Sequence, residues 1–189
     1  MFVKYIEDFL TTEECLSIIE LGESSDLIQM KSSLVVNGKV MAENVEYTGN
    51  KRMGTYFIDE LLILPIIKNL SDKIVNLSNE LNPYKGIVYK GVPKYSFNRY
   101  GIGDFLDWHP DSHEIANGAT ITYIVQLNEE YENGEVQYLI NDVEHSVPKK
   151  KGSVFIFDSN IVHSVKEITK GTRYSINVWP SKEIKKTLL

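Results

Sequence analysis

The apolar positions of this chain keep helical spacing through its first third and then switch to alternation. Cys15, Ile18, Ile19 and Leu21 share one face behind Thr11, whose hydroxyl can cap a helix carrying Glu13 and Glu14 in its first turn, with Gly22 as the stop. Leu61, Leu62, Leu64, Ile67, Leu70, Ile74, Leu77 and Leu81 repeat in the same way over Ile58 to Leu81. Asn82-Pro83 ends that run, and Pro65 either divides it or sets back its start. Between the two helices, Ser32 to Tyr56 is punctuated by Gly and Asn and fits a hairpin or a mobile loop placed to act as a lid.

From Lys85 the period falls to two, and strands are expected over residues 94–100, 119–127, 135–140, 153–157 and 173–179. Asn133-Gly134 and Asn141-Asp142 are turn pairs between neighbouring strands, so the sheets should be largely antiparallel. Helices followed by strands give an α+β, mainly β, protein. A chain of 189 residues is expected to form a single domain, with helical support over about 1–84 and a β core over about 85–181.

Charge and composition narrow the function. A net charge of -6 argues against a nucleic-acid surface, which needs clustered cations, and Lys149-Lys150-Lys151 reads as a solvated turn. Cys15 is the single cysteine, so no internal disulfide can form, and a reducing cytoplasm fits. The opening residues lack the pattern of a secretory leader, and no apolar run approaches membrane-spanning length. No oligomeric state is legible.

His109-Pro110-Asp111 carries the sharpest chemistry. An imidazole and a carboxylate two residues apart in an extended segment point to one side of the chain, where they can take adjacent corners of a metal. His163, just beyond the strand over 153–157, is placed to complete two histidines and one carboxylate, a set that leaves open positions on non-haem iron(II). Ten residues after His163, Arg173 opens a strand whose alternation puts Arg173, Ser175, Asn177 and Trp179 on one face. A cationic fork facing a polar interior calls for a buried anion, and a dicarboxylate offers bidentate geometry. The rival reading for Arg173 is an internal salt bridge. A zinc hydrolase on His109 and His113 would need both on one helix, which Pro110 disfavours, and lacks the Glu of a His-Glu-x-x-His motif. A non-catalytic β-barrel binding protein is the third class.

From about Tyr95 to Trp179 the chain resembles the 2-oxoglutarate/Fe(II) dioxygenases of the prolyl 4-hydroxylase type. The likeness rests on Arg99 through Asp111, Leu127-Asn128, Asn133-Gly134-Glu135, Pro148 through Ser153, His163-Ser164-Val165 and Gly171 through Trp179. It implies a double-stranded β-helix, jelly-roll-like, with supporting N-terminal helices. It further implies that His109, Asp111 and His163 bind iron, that Arg173 binds the far carboxylate of 2-oxoglutarate, and that Tyr100 and Ser175 assist there. Dioxygen is the other co-substrate and ascorbate a candidate stimulant. The reaction implied is hydroxylation of a C–H bond, best a prolyl residue in a peptide or protein, with release of succinate and CO2. Two positions depart from the pattern: Gln126 stands where the family has a Tyr reaching into the pocket and can still donate a hydrogen bond to the co-substrate there over a shorter reach, and Ala119 stands where peptidyl-proline hydroxylases carry an Arg that meets substrate. The second change leaves a free amino acid or another small molecule as the alternative substrate. Trp179, Tyr95 and Phe97 are candidates for the substrate entrance.

Overall fold

In chain order the computed structural model contains β1 (Val3–Ile6), α1 (Thr12–Glu23), β2 (Ser33–Val36), β3 (Lys39–Glu43), β4 (Asn50–Lys51), β5 (Met53–Tyr56), α2 (Pro65–Glu80), β6 (Ile87–Tyr89), β7 (Lys94–Tyr100), β8 (Phe105–His109), β9 (Ile121–Gln126), β10 (Tyr131–Asn133), β11 (Val136–Ile140), β12 (Val143–Ser146), β13 (Val154–Asp158), β14 (His163–Val165), β15 (Ile168–Gly171), β16 (Arg173–Trp179) and β17 (Lys182–Ile184). It describes residues 1–24, 33–36, 39–43, 50–51, 53–56, 64–111 and 121–184.

α1 starts at a side-chain cap and α2 at a proline. The Thr11 hydroxyl accepts from the Glu14 amide at 3.2 Å while the Glu14 carboxylate accepts from the Thr11 amide at 2.9 Å, a reciprocal cap on α1. Gly22 is not the stop expected for it. It lies inside α1, and a Cβ there would come 2.4 Å from the Phe97 ring, so the glycine admits the sheet's aromatic layer rather than ending the helix. Pro65 sets back the start of α2, sitting in its first turn where a missing N–H costs nothing; Leu61 and Leu62 lie outside the described residues.

The strands form two main sheets, one six-stranded in the order β1-β13-β9-β16-β7-β5 and one five-stranded in the order β12-β11-β14-β8-β4. From β7 onward the chain crosses between them: β7, β9, β13 and β16 go to the first, β8, β11, β12 and β14 to the second. That alternation, with antiparallel pairing throughout, is a double-stranded β-helix. The first third, read as helical, also supplies strands: β1 pairs with β13, β4 with β8 and β5 with β7. Residues 50–56 of the stretch considered as a lid therefore edge the two sheets, and β2 and β3 form a hairpin.

The two turn pairs behave differently. Asn141 and Asp142, at φ 50° and 61°, join β11 to β12 in a tight hairpin as expected. Asn133-Gly134 does not join paired strands, because β10 pairs with β15 while β11 pairs with β12 and β14. A positive φ there instead swings the chain from one pair to the other.

The six-stranded sheet faces two ways. Toward the helices it presents Tyr95, Phe97, Tyr123, Val125, Ile176 and Val178, packed on Ile18, Ile67, Leu70 and Ile74. Tyr95 and Phe97 thus belong to the helix layer and not to a substrate entrance. Ser71 and Ser78 donate back to the Ile67 and Ile74 carbonyls, so the Tyr95 and Tyr123 hydroxyls must donate to them, at 2.6 and 2.7 Å. The other face meets the second sheet and buries Asn98, Thr122, Gln126, Arg173, Ser175 and Asn177 among aromatic residues. Lys149, Lys150 and Lys151 each pair with acids, Glu135, Glu7 with Asp8, and Glu130. No helix among the described residues is long and apolar enough to cross a membrane.

Gly152 ties the layers together. Its carbonyl accepts from the Leu10 amide at 2.9 Å, its φ is 75°, and a Cβ would lie 2.3 Å from the Leu10 oxygen. Gly152→Ala is expected to cost about 2 kcal/mol or more, read as a lower denaturation midpoint at unchanged slope.

Candidate active site

Strand pairing builds the metal-binding arrangement. His163 opens β14 directly opposite His109 at the end of β8, which brings the two rings to 4.3 Å between centroids. Pro110 ends β8, and the Asp111 amide then donates to the Ser159 carbonyl at 2.8 Å, turning the carboxylate back toward both rings. The ligand atoms of His109, Asp111 and His163 all lie within 4.8 Å of one another.

Tautomers follow from the neighbours. His109 Nδ1 is 2.7 Å from the Asp107 carbonyl and His163 Nδ1 is 3.0 Å from that of Ile161. A carbonyl only accepts, so both Nδ1 atoms carry the proton and both Nε2 atoms present lone pairs, the arrangement usual for metal-bound histidine. Asp111 Oδ1 stands 3.6 Å from His109 Nε2 and Oδ2 stands 3.8 Å from His163 Nε2, beyond hydrogen-bonding range but suited to a cation shared among them. Two imidazoles and one carboxylate are a donor set that fits Fe(II). Burial opposes ionisation of Asp111, yet His163, His109 and the indole N–H of Trp179 outweigh it and hold the carboxyl well below the usual carboxylate range. Trp179 Nε1 donates to Asp111 Oδ2 at 3.1 Å. His113 lies outside the described residues, and His109 sits on a strand, so a helical zinc pair has no helix at its first member.

Arg173 occupies the same sheet interior. It is 1% exposed, its Nη1 donates to Ser175 Oγ at 3.0 Å, and its Cζ lies 5.1 Å over the ring of Tyr100. Nε and Nη2 reach no hydrogen-bond acceptor among the described residues, which leaves two donors of a buried cation for an anion. Among the described residues no salt bridge with Asp or Glu takes them. Along β16 the inward row runs Arg173, Ser175, Asn177, Trp179, linking the guanidinium to the residue that touches Asp111. Gln126 turns its amide nitrogen to the carbonyls of Asn128 at 2.6 Å and Tyr174 at 3.5 Å. Its other neighbour is Tyr131, which shares with it a cavity also lined by Ile124, Val136, Lys149 and Phe155. Burial pushes the Tyr131 phenol up, with nearby Arg173 pulling against it. Ala119 lies outside the described residues.

Sequence reasoning missed two contacts. Trp179, considered for substrate, spends its N–H on Asp111, and Tyr131 was not singled out although it stands beside Arg173. Both contacts join strands far apart in sequence and leave no local signal.

Fold and site together define a double-stranded β-helix protein with a two-histidine, one-carboxylate cluster. Residues 95–181 match the family model of the 2OG-Fe(II) oxygenase superfamily. The chain is 27% identical over 128 residues to a PKHD-type hydroxylase of Acinetobacter baumannii, a match over 61% of this chain and 55% of the relative. The chain therefore spans about half the length of the curated relatives it matches. A Pseudomonas putida prolyl-4-hydroxylase has the same fold, with a TM-score of 0.71 at 16% identity over 98% of this chain and 93% of that one. So does a Trichoplax adhaerens prolyl hydroxylase in complex with a hypoxia inducible factor peptide fragment, with a TM-score of 0.72 at 20% identity over 94% and 82%.

Trp179→Phe keeps the ring and removes the donor to Asp111. Its affinity for Fe(II) or Mn(II), measured by titration, is expected to fall about 10-fold.

Proposed function

We propose that this chain is a 2-oxoglutarate- and Fe(II)-dependent hydroxylase in which His109, Asp111 and His163 hold the metal and Arg173 holds the far carboxylate of the co-substrate, residues 1–189 working as one catalytic domain. The observation that carries this reading is the meeting, between one pair of sheets, of a three-ligand cluster and a buried guanidinium with two donors unmet. Bound there, iron supplies the reduction of dioxygen coupled to decarboxylation of 2-oxoglutarate, one oxygen atom entering succinate and the other the substrate C–H bond.

The chain's own part is to hold and to exclude. The Asp107 and Ile161 carbonyls fix both imidazoles, while the Ser159 carbonyl and the Trp179 indole fix Asp111. Arg173, braced by Ser175 and the Tyr100 ring, sets how far the co-substrate extends from its anchored end. Ile124, Val136 and Phe155 keep water from that end. A reducing cytoplasm suits the lone buried Cys15, whose thiol burial pushes up to about 11.

A prolyl residue in a peptide or protein is the substrate we favour, since the two structural neighbours are prolyl hydroxylases and one was solved with a peptide fragment. Ala119, where the resemblance places a substrate-meeting arginine, favours a second reading, a free amino acid or other small molecule.

Succinate release with Fe(II), ascorbate and 2-oxoglutarate across proline-rich peptides and free amino acids separates the two, the product being confirmed by the mass of one added oxygen. Turnover confined to amino acids supports the second. Asp111→Ala is expected to lose metal binding and turnover, and equal iron affinity in the two proteins contradicts the ligand assignment. Arg173→Ala should raise the Kd for 2-oxoglutarate about 10- to 100-fold while leaving metal affinity in place.

A further inference from the structure

Resting on the function proposed above, the inference concerns which side chain joins Arg173 on the far carboxylate. The resemblance points to Tyr100 and Gln126. Tyr100, however, meets the guanidinium through its ring, with Arg173 Cζ over the π face, and Gln126 turns its amide nitrogen to the Asn128 and Tyr174 carbonyls. Gln126 therefore offers a carboxylate little, since its donors are already directed at backbone oxygens.

Tyr131 is placed differently. It is 6% exposed and lines the cavity that Gln126 also lines; its hydroxyl lies near enough to Arg173 and Gln126 to interact with both, yet like Nε and Nη2 of Arg173 it makes no hydrogen bond of ordinary geometry among the described residues. Buried polar atoms left so, gathered from β10 and β16 at one place, are the signature of a site that a ligand completes. The ring's position is built rather than incidental. Gly134, at φ 71°, would put a Cβ 2.1 Å from Ile168 Cδ1 and 3.1 Å from Tyr131 Cε2, and Gly171, at φ 79°, would put one 2.7 Å from the Glu130 carbonyl oxygen and 3.2 Å from the Tyr131 Cα. A side chain at Gly134 would crowd the ring as well as Ile168, and one at Gly171 would crowd the backbone that carries Tyr131. Lys149, the other cation nearby, is not a rival anchor: its ammonium sits 4.9 Å over the Tyr131 ring and is shared among the Tyr131 and Asn133 carbonyls and Glu135.

We propose that Tyr131 donates its hydroxyl to the far carboxylate of 2-oxoglutarate beside Arg173, supplying from β10 the phenol that position 126 on β9 lacks. The atoms needed are an O–H donor and a guanidinium converging on one carboxylate, and both are present and buried beside each other. Tyr131 is on this account a specificity residue for five-carbon dicarboxylic 2-oxo acids over their monocarboxylic counterparts.

The test is binding, not turnover. With Mn(II) in place of iron, calorimetric titration of Tyr131→Phe is expected to show a Kd for 2-oxoglutarate raised about 10-fold or more. Affinity for Mn(II), and for 2-oxobutyrate, which keeps the keto-acid end but lacks the far carboxylate, should stay as in the unmodified protein. Phe keeps the ring that packs on Gly134, so the melting temperature checks folding, and adding Gln126→Tyr should recover the lost affinity. A Kd for 2-oxoglutarate within twofold of the unmodified protein, in a background where Arg173→Ala does weaken binding, overturns the role of Tyr131 and leaves the proposed function standing. If Arg173→Ala also binds 2-oxoglutarate normally, the proposed anion site itself is wrong. Equal losses for 2-oxoglutarate and 2-oxobutyrate would mark Tyr131 as structural only and likewise overturn the inference.

Discussion

Charge buried between two sheets is the constraint around which this fold is arranged. A guanidinium and a carboxylate taken from water cost several kcal/mol each unless partners replace the lost solvation. Here the interior of the sandwich is given over to those partners: Ser175 and the Tyr100 ring for Arg173, and the Trp179 indole for Asp111. An interior so rich in polar groups supplies less apolar burial than an ordinary sandwich core. The opposite face of the six-stranded sheet compensates, since β7, β9 and β16 each turn a second, apolar row onto α1 and α2. The helices are thus part of what lets the site be polar.

Orientation of the ligand atoms comes mostly from the backbone. Carbonyls of Asp107 and Ile161, each two residues before its histidine, fix the ring tautomers, and the Ser159 carbonyl holds the turn that aims Asp111. Asp107 lies in β8, while Ser159 and Ile161 lie in the turn between β13 and β14, closed by the Ile161 amide on the Asp158 carbonyl at 2.8 Å, so backbone already held in place orients the ligand atoms. Ser159 is in turn held by Thr122 on β9 at 2.9 Å, which ties the cluster to the middle of the large sheet.

Much was legible in the chain itself. The switch from helical spacing to alternation located both helices and the central strands, because burial on one face imposes its period directly on the residues. The row Arg173, Ser175, Asn177, Trp179 could be assigned to one face of β16 for the same reason. Local steric chemistry fixed the Thr11 cap and the Asn141-Asp142 turn.

Partners across space were another matter. Whether Gly22 ended a helix or admitted Phe97, whether Asn133-Gly134 joined paired strands, and whether Tyr95 faced ligand or helix all depended on which strands lie side by side. The same holds for the Trp179 bond to Asp111 and for the place of Tyr131 beside Arg173. Periodicity states which residues share a face, since that is a property of one strand. What the face looks toward is a property of sheet order, which is settled only when the whole chain packs.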